Sequence, residues 1–401
     1  MDAVVISGVG VVSPLANTPA ALAARVAAAD TAVGPLAEMP DVIGATVPDI
    51  PLEMIPADKR SRIGRLDRFC RLFLAAAYLA MDSAGFEVRD AEADRVGLSF
   101  GTGFGCVLTN AAFNRKLVEH GPAAASPRLF AYTVSSAAAG EVSIALGIKG
   151  VNVTGHMGFA AGLGAIGYGA DLIALGKADV VVAGGADALG PALIHGLADM
   201  GLLKRRGDAL PFRDVERGVY PSEGAAVVVL ERRQHAQQRG APVWGRIEGY
   251  AAGFEPTLTR RQRQATGLCA AMQRALAASR RTPGEIGLVV SSAHATALDA
   301  VERAALATVY REPAAPLLCA PKSAWGECFA AAGPLGLVLA AAWMREPPAH
   351  VAETVGLELD AQGVRTARDA SARLRRARLA MVHDLCYSGP TVALVLAPEH
   401  E

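Results

Sequence analysis

The sequence predicts an α/β protein made of two similar halves, and three observations predict it. All-apolar runs of strand length, such as Val180-Val-Val-Ala183, alternate with Ala- and Leu-rich stretches of helical length. Strands that are apolar on both sides belong to a sheet covered on both faces. The alternation then occurs a second time in the same style, the signature of an internal duplication about a pseudo-twofold axis. Finally, 401 residues at 52 % hydrophobic and 19 % charged hold enough apolar surface for a large core and too little charge for long disorder.

The elements follow in order. Ala3–Pro14 is a buried strand expected to break at Gly8 and Gly10, and Pro19–Ala29 is an Ala-rich helix. Asp67–Ala84 is a long amphipathic helix with Gly85 as its C-terminal stop. Val96–Phe100 is a short strand before the loop Gly101-Thr-Gly-Phe-Gly105, and helix Ala160–Gly176 leads to strand Ala178–Gly184. In the second half Val243–Ala251, Ile286–Ser291 and Val392–Leu396 read as strands. Gly267–Ala278, Asp299–Val309 and Gly333–Met344 read as helices. The halves are placed at 1–242 and 243–401, and with no Ser/Gly linker between them they are expected to fold as a unit.

Composition excludes several function classes. Lys+Arg and Asp+Glu number 39 each, so nothing points to nucleic acid or an anionic membrane as the main partner. The runs Arg260–Arg261–Gln262–Arg263 and Arg280–Arg281 read as a solvated loop and a helix face. The six cysteines are scattered with no CxxC pair, so neither a metal centre nor a disulfide framework is expected. Buried free thiols fit a reducing, cytoplasmic location. The N-terminus lacks a basic region before its apolar run and reads as a first strand rather than a signal peptide. The most apolar segments, Ala160–Leu175 and Phe329–Met344, fall short of the ~20 residues a membrane span needs.

The chemistry concentrates in Asn152-Val-Thr-Gly-His-Met-Gly-Phe159 and the helix and strand that follow, up to Asp187. A residue at this strand–turn–helix elbow meets the helix dipole and free N–H groups, which stabilise a thiolate or an oxyanion. Phe159 has no nucleophile to offer there.

This segment resembles the active-site region of β-ketoacyl-acyl-carrier-protein synthases of the thiolase fold. In them a cysteine occupies the elbow, and the block closes on Ala-Gly-Gly-Ala-Glu/Asp, here Ala183-Gly-Gly-Ala-Asp187. Other blocks resemble the family in order. They are Ile6–Pro14, the loop Gly101–Gly105, the dimer-interface stretch Ser126–Gly150, and Leu210-Pro-Phe-Arg-Asp214 with Arg217–Glu231. The resemblance spans nearly the whole chain. It implies a thiolase-like fold whose two duplicated α/β halves stack as five αβαβα layers.

It also implies three catalytic groups: a cysteine that carries the acyl chain and two histidines that assist malonyl decarboxylation. Here Phe159 stands for the cysteine. The first histidine motif resembles His294-Ala-Thr-Ala-Leu-Asp299, so His294 is kept. The second resembles Lys322-Ser-Ala-Trp-Gly-Glu327, so Lys322 is kept and Glu327 replaces the histidine. The C-terminal gating loop has become Cys386-Tyr-Ser-Gly-Pro-Thr391. Glu327 is expected to pair with Lys322 or His294 and neutralise a buried charge. His156 reads as a core or interface histidine, and Cys328 as packing rather than a relocated nucleophile.

Within the resembled family, type II polyketide and aryl-polyene systems pair a competent ketosynthase with a cysteine-less homologue, the chain-length factor. That homologue usually carries Gln at the elbow; Phe159 departs from this and offers only apolar bulk. The resemblance therefore implies a non-condensing subunit with no catalytic residue, cofactor or metal of its own. Its partners would be a cysteine-bearing ketosynthase and an acyl carrier protein, and its side chains would shape the acyl tunnel. The apolar stretch Ala131–Thr154 is expected to join the partner's sheet. Three alternatives stand beside this: an enzyme that repurposes His294 and Glu327 as an acid–base pair on a carrier-bound substrate, a homodimeric binding protein, and a thiolase-fold enzyme with its cysteine elsewhere.

Overall fold

The computed structural model describes residues 4–399 apart from 49, 51, 58–59, 61–62, 65, 205–207, 216, 257–263, 311–314 and 361–362. The Arg260–Arg263 run lies outside the described residues. In the first half the strands are β1 (Val4–Val12), β2 (Val96–Gly101), β3 (Asn152–Gly155), β4 (Val180–Asp187) and β5 (Gly224–Arg232). In the second they are β6 (Gly245–Phe254), β7 (Ile286–Val290), β8 (Leu317–Cys319), β9 (Leu357–Asp360), β10 (Gly363–Thr366), β11 (Leu379–Leu385) and β12 (Pro390–Ala397).

The first half lies in the order β3-β2-β4-β5-β1 and the second in the order β8-β7-β11-β12-β6. These are the same arrangement. β2 pairs in parallel with β3 and β4, as β7 does with β8 and β11, and the remaining pairs are antiparallel. The duplication that the sequence shows only as a style is thus a strand-for-strand correspondence. The halves join through β1 and β6, over Val4–Ile6. The second half adds a hairpin, β9–β10, beyond β8.

Six helices set the layers: α1 (Arg68–Ala84), α2 (Val107–His120), α3 (Ala161–Ala174), α4 (Thr266–Ser279), α5 (Ala297–Val309) and α6 (Ala332–Arg345). α1 covers the outer face of the first half, and α4 and α5 that of the second. α3 and α6 lie between the two halves of this continuous sheet and touch both, which gives five layers. The strands read both faces by alternation. On β4, Val180 and Val182 face α1 while Val181 and Ala183 face the central layer. On β12, Val392 and Leu394 face the central layer while Ala393 and Val395 face α4. Helices sandwiched in this way are apolar all round, which is why α3 and α6 carry so little charge.

One expectation needs correction. The first strand does not break at Gly8 and Gly10: β1 runs unbroken from Val4 to Val12 with a single bulge between Ile6 and Gly8. Those glycines answer to packing. A Cβ on Gly8 would stand 2.2 Å from Ala80 O, and one on Gly10 2.0 Å from Ala76 O, so they let α1 lie directly on the strand. α1 itself begins as its sequence suggests, with Asp67 accepting from Cys70 N at 2.9 Å, and ends on Gly85 in the left-handed region. Arg281 pairs with Glu285 and Glu248, while Arg280 is the exposed C-cap of α4.

Candidate functional site

Two elbows meet at the centre of the molecule. β3 turns through His156–Ala160 into α3, and β8 turns through Ala320–Ala331 into α6. They are equivalent positions of the duplicated halves. The N-termini of α3 and α6 therefore approach each other, and their positive dipole ends face one interior. The approach is close: a Cβ on Gly162 of α3 would stand 1.9 Å from Ala330 O.

Each elbow presents a phenylalanine. The Phe159 and Phe329 rings lie 5.2 Å apart at 55°. Phe104, from the Gly101–Gly105 loop, meets Phe329 edge-on at 4.8 Å, and Tyr387 meets Phe159 edge-on at 6.1 Å. Leu36, Leu189, Leu193 and Ile194 complete this apolar cluster, in which Phe159 is 7 % exposed. Offset and edge-on aromatic pairs of this kind add to the burial of their area. Phe159 is a packed ring at the turn from β3 into α3.

Behind the rings lies a buried polar cluster. Lys322 Nζ donates to Ser292 Oγ at 2.8 Å, Glu327 Oε2 at 2.9 Å and Asp384 Oδ1 at 3.2 Å, which uses all three ammonium protons. Glu327 Oε1 accepts from Phe329 N at 3.1 Å, so the carboxylate also caps the turn into α6. Of the two expected partners of Glu327, Lys322 takes the hydrogen bond. His294 Nε2 is 3.7 Å from Glu327 Oε2 and has no hydrogen-bond partner among the described residues. His294 is held through its backbone by Asp299 and through Nδ1 at Ser292 O, 3.2 Å away, and Lys204 donates to its carbonyl.

Burial governs the charges. It pushes the Glu327 carboxyl up to about 7, against the pull of Lys322. Burial works to lower the Lys322 ammonium, but Asp384 and Glu327 outweigh it and hold it above its ordinary value. Burial, reinforced by Lys322 and Lys204, drives His294 far below the usual imidazole range, so it is neutral.

Several of these residues are absent from the reading of the sequence. Asp384 is a lone acid in the apolar strand β11, and that contrast is a signal that sequence alone carries. Asp187 accepts from Thr102 Oγ1, Phe104 N, Gly103 N and Ala330 N, and so ties the glycine loop to the second elbow. Ser292 and Lys204 have no local signal; only the fold brings them in. Cys328 is fully buried, with Sγ 3.3 Å from Ser222 Oγ and Glu223 O, and burial pushes its thiol up, as packing requires. His156 is exposed at the end of β3, which removes the core half of its expectation. The loop Cys386–Thr391 is a tight turn closed by Cys386 N donating to Pro390 O at 2.9 Å. Among the described residues no group of three His, Cys, Asp or Glu side chains could hold a metal, and no helix is long and apolar enough to cross a membrane.

Residues 1–236 match the family profile "Beta-ketoacyl synthase, N-terminal domain", and residues 244–355 match its C-terminal domain. The 3-oxoacyl-[acyl-carrier-protein] synthase 2 of Coxiella burnetii (strain RSA 493 / Nine Mile phase I) is 30% identical over 376 residues, 90% of this chain and 89% of that one. A β-ketoacyl synthase from Burkholderia phymatum STM815 superposes with a TM-score of 0.84 at 25% identity, covering 99% of this chain and 100% of that one. The ishigamide ketosynthase/chain length factor superposes with a TM-score of 0.81 at 23% identity over 99% of both chains, a likeness of fold. The chain belongs to the β-ketoacyl synthase family.

Proposed function

We propose that this chain is the non-condensing, chain-length-factor-like subunit of a cytoplasmic ketosynthase heterodimer. Its pathway would be polyketide, aryl-polyene or fatty-acid-like biosynthesis. The observation that carries the proposal is the first elbow, where the Phe159 ring fills the nucleophile's place and packs on Phe329. A phenyl ring forms no acyl-thioester. The second elbow agrees. Glu327 accepts from Lys322 with one oxygen and from Phe329 N with the other, so neither is turned to donate to an enolate oxygen as an imidazole would. On this reading Phe159, His294, Lys322 and Glu327 are scaffold, and the halves divide at 242/243.

The surface supports a partner. β3 ends the sheet, and Asn152 Nδ2 donates to Ser143 Oγ at 2.8 Å, which ties the strand to helix Ala137–Leu146. Ile144 on that helix is 62 % exposed, and Phe130 and Val134 just before it are 65 % and 54 % exposed. Phe113 of α2 stacks against Phe130 at 5.9 Å. An exposed apolar group beside an open sheet edge is what a subunit buries. On this reading the partner is a cysteine-bearing ketosynthase, and Phe113 and Phe130 help to bound its acyl tunnel. The chain is expected to co-purify with that ketosynthase. Alone it should make no product from acyl- and malonyl-carrier protein, and in the complex Phe113→Ala or Phe130→Ala should change product length. Condensation by the purified chain alone would overturn the proposal.

One observation favours a second reading. His294 Nε2 and Glu327 Oε2 are 3.7 Å apart, and a carboxyl near 7 is poised for proton transfer. On this reading the pair acts on a carrier-bound acyl chain. Loss of product from His294→Ala and Glu327→Gln complexes that remain assembled would support it.

A further inference from the structure

A small cavity lies beside Lys322. It measures about 10 Å³, room for one water molecule. Trp325, Lys322, Ser292, Asp384 and Gly333 are among the residues that line it. Three side-chain atoms of the lining residues are buried without a hydrogen-bond partner among the described residues: the indole Nε1 of Trp325, Oδ2 of Asp384 and Nδ1 of His383. Trp325 and Asp384 are both fully buried. Asp384 points into the central layer because it shares a strand face with Val382. His383 points the opposite way and meets Glu302 on α5 at 2.7 Å. Asp384 Oδ2 also looks toward α6, where a Cβ on Gly333 would stand 3.1 Å from it.

We propose that this cavity binds one ordered water, which accepts from Trp325 Nε1–H and donates to Asp384 Oδ2. The chemistry of the lining selects water over a cation. An indole N–H offers a cation no lone pair, and the Lys322 ammonium already lies 3.2 Å from Asp384 Oδ1, so a cation would share one carboxylate with a second positive charge and gain nothing from Trp325. Water alone serves a donor on one side and an acceptor on the other. A buried carboxylate oxygen left unmet costs more than a neutral group would. The water thereby fixes Asp384, Asp384 fixes Lys322, and Lys322 holds Glu327. It is a positioning element for the whole cluster and is independent of which activity the complex performs.

The test is a crystal structure of the full chain at a resolution that resolves internal water, with a parallel crystal soaked in rubidium chloride. The expected result is one spherical peak within hydrogen-bond distance of Trp325 Nε1 and Asp384 Oδ2 and no anomalous signal there. Trp325→Phe should lose that peak while the rest of the cluster keeps its contacts. Should Trp325→Phe fail to fold, Asp384→Asn serves in its place and should turn the site's polarity while keeping the peak. An empty cavity in the unmodified chain, or a rubidium signal in it, would overturn the proposal.

Discussion

The two halves share one strand order, yet they treat its outer edge in opposite ways. In the first half β3 is the last strand of the sheet. Its parallel ladder with β2 uses Val151 O and Gly155 O as acceptors, so the alternate N–H groups of Asn152 and Thr154 point outward. Around it stand exposed apolar side chains. In the second half the equivalent β8 is covered by the hairpin β9–β10. That hairpin is short and carries Arg365, whose guanidinium reaches Glu358 at 2.9 Å and Asp360 at 3.1 Å. Short, charged edges resist further pairing. The difference teaches that this duplicated fold leaves one edge open and closes the other.

The largest expected effect lies where the halves meet. If Phe159 is a structural plug that closes one elbow against the other, Phe159→Ala should cost about 3–5 kcal/mol, the range for a large aromatic removed from a core. Urea unfolding of the variant would read it. A cost below about 1 kcal/mol would mean that the elbow is loosely filled and that the apolar cluster is not what joins the halves. Phe159→Cys sharpens the point chemically. It restores a thiol at the first elbow but leaves Glu327 at the second, so it should give no condensation product, as liquid chromatography of the carrier-bound products would register.

Next comes the open edge. Ile144→Glu places a carboxylate in the exposed apolar group, and Thr154→Pro removes an outward N–H without touching the ladder to β2. Either should weaken subunit association by roughly 2–4 kcal/mol, about 30- to 1,000-fold in dissociation constant. Sedimentation equilibrium of the proposed heterodimer measures it. Unchanged association in both variants would move the interface away from β3 and dissolve the contrast between the edges.

The second elbow carries a pH signature that the first lacks. Burial lifts Glu327 from 4.5 to about 7, so between those values the folded chain binds a proton that the unfolded chain releases. The stabilisation is complete below about 4.5, falls as pH rises, and is gone above about 7. Relative to Glu327→Gln, the unmodified chain should lose on the order of 1–3 kcal/mol over this window. Urea midpoints at pH 5 and pH 8 compare the two. A gap that does not change with pH would place the ionisation elsewhere in the Lys322 cluster.

The sequence carried the architecture further than it carried the site. Apolar runs and Gly85 placed α1, and two rounds of the same pattern announced the duplication, because burial on both faces leaves a long, redundant signal. The glycines of β1 misled, since close packing of a helix on a strand and a break in that strand both call for Gly8 and Gly10. Phe159, His294, Lys322 and Glu327 were legible through short ordered motifs. So was the Lys322–Glu327 pair, and Asp384 stands out as an acid in an apolar strand. The remaining partners were not: Ser292 and Lys204 meet the cluster through tertiary contacts, and no local pattern says that Lys322 will also reach Asp384.

The smallest effect is expected on the closed edge. Arg365 is half exposed, so its two ion pairs are well solvated and worth little: Arg365→Val should change stability by about 0.5–1 kcal/mol at most. Its consequence lies in association. Valine would give β10 an apolar, uncharged face at the rim of the sheet, while Arg368 stays exposed two residues past the strand. If charge at this rim is what keeps the second half from pairing, the variant should show new concentration-dependent self-association by light scattering. Arg365→Lys should not, because it keeps the charge. Should Arg365→Val stay as dispersed as the unmodified chain, the hairpin's shortness rather than its charge closes that edge. The asymmetry between the halves would then rest on the length of β9 and β10 alone.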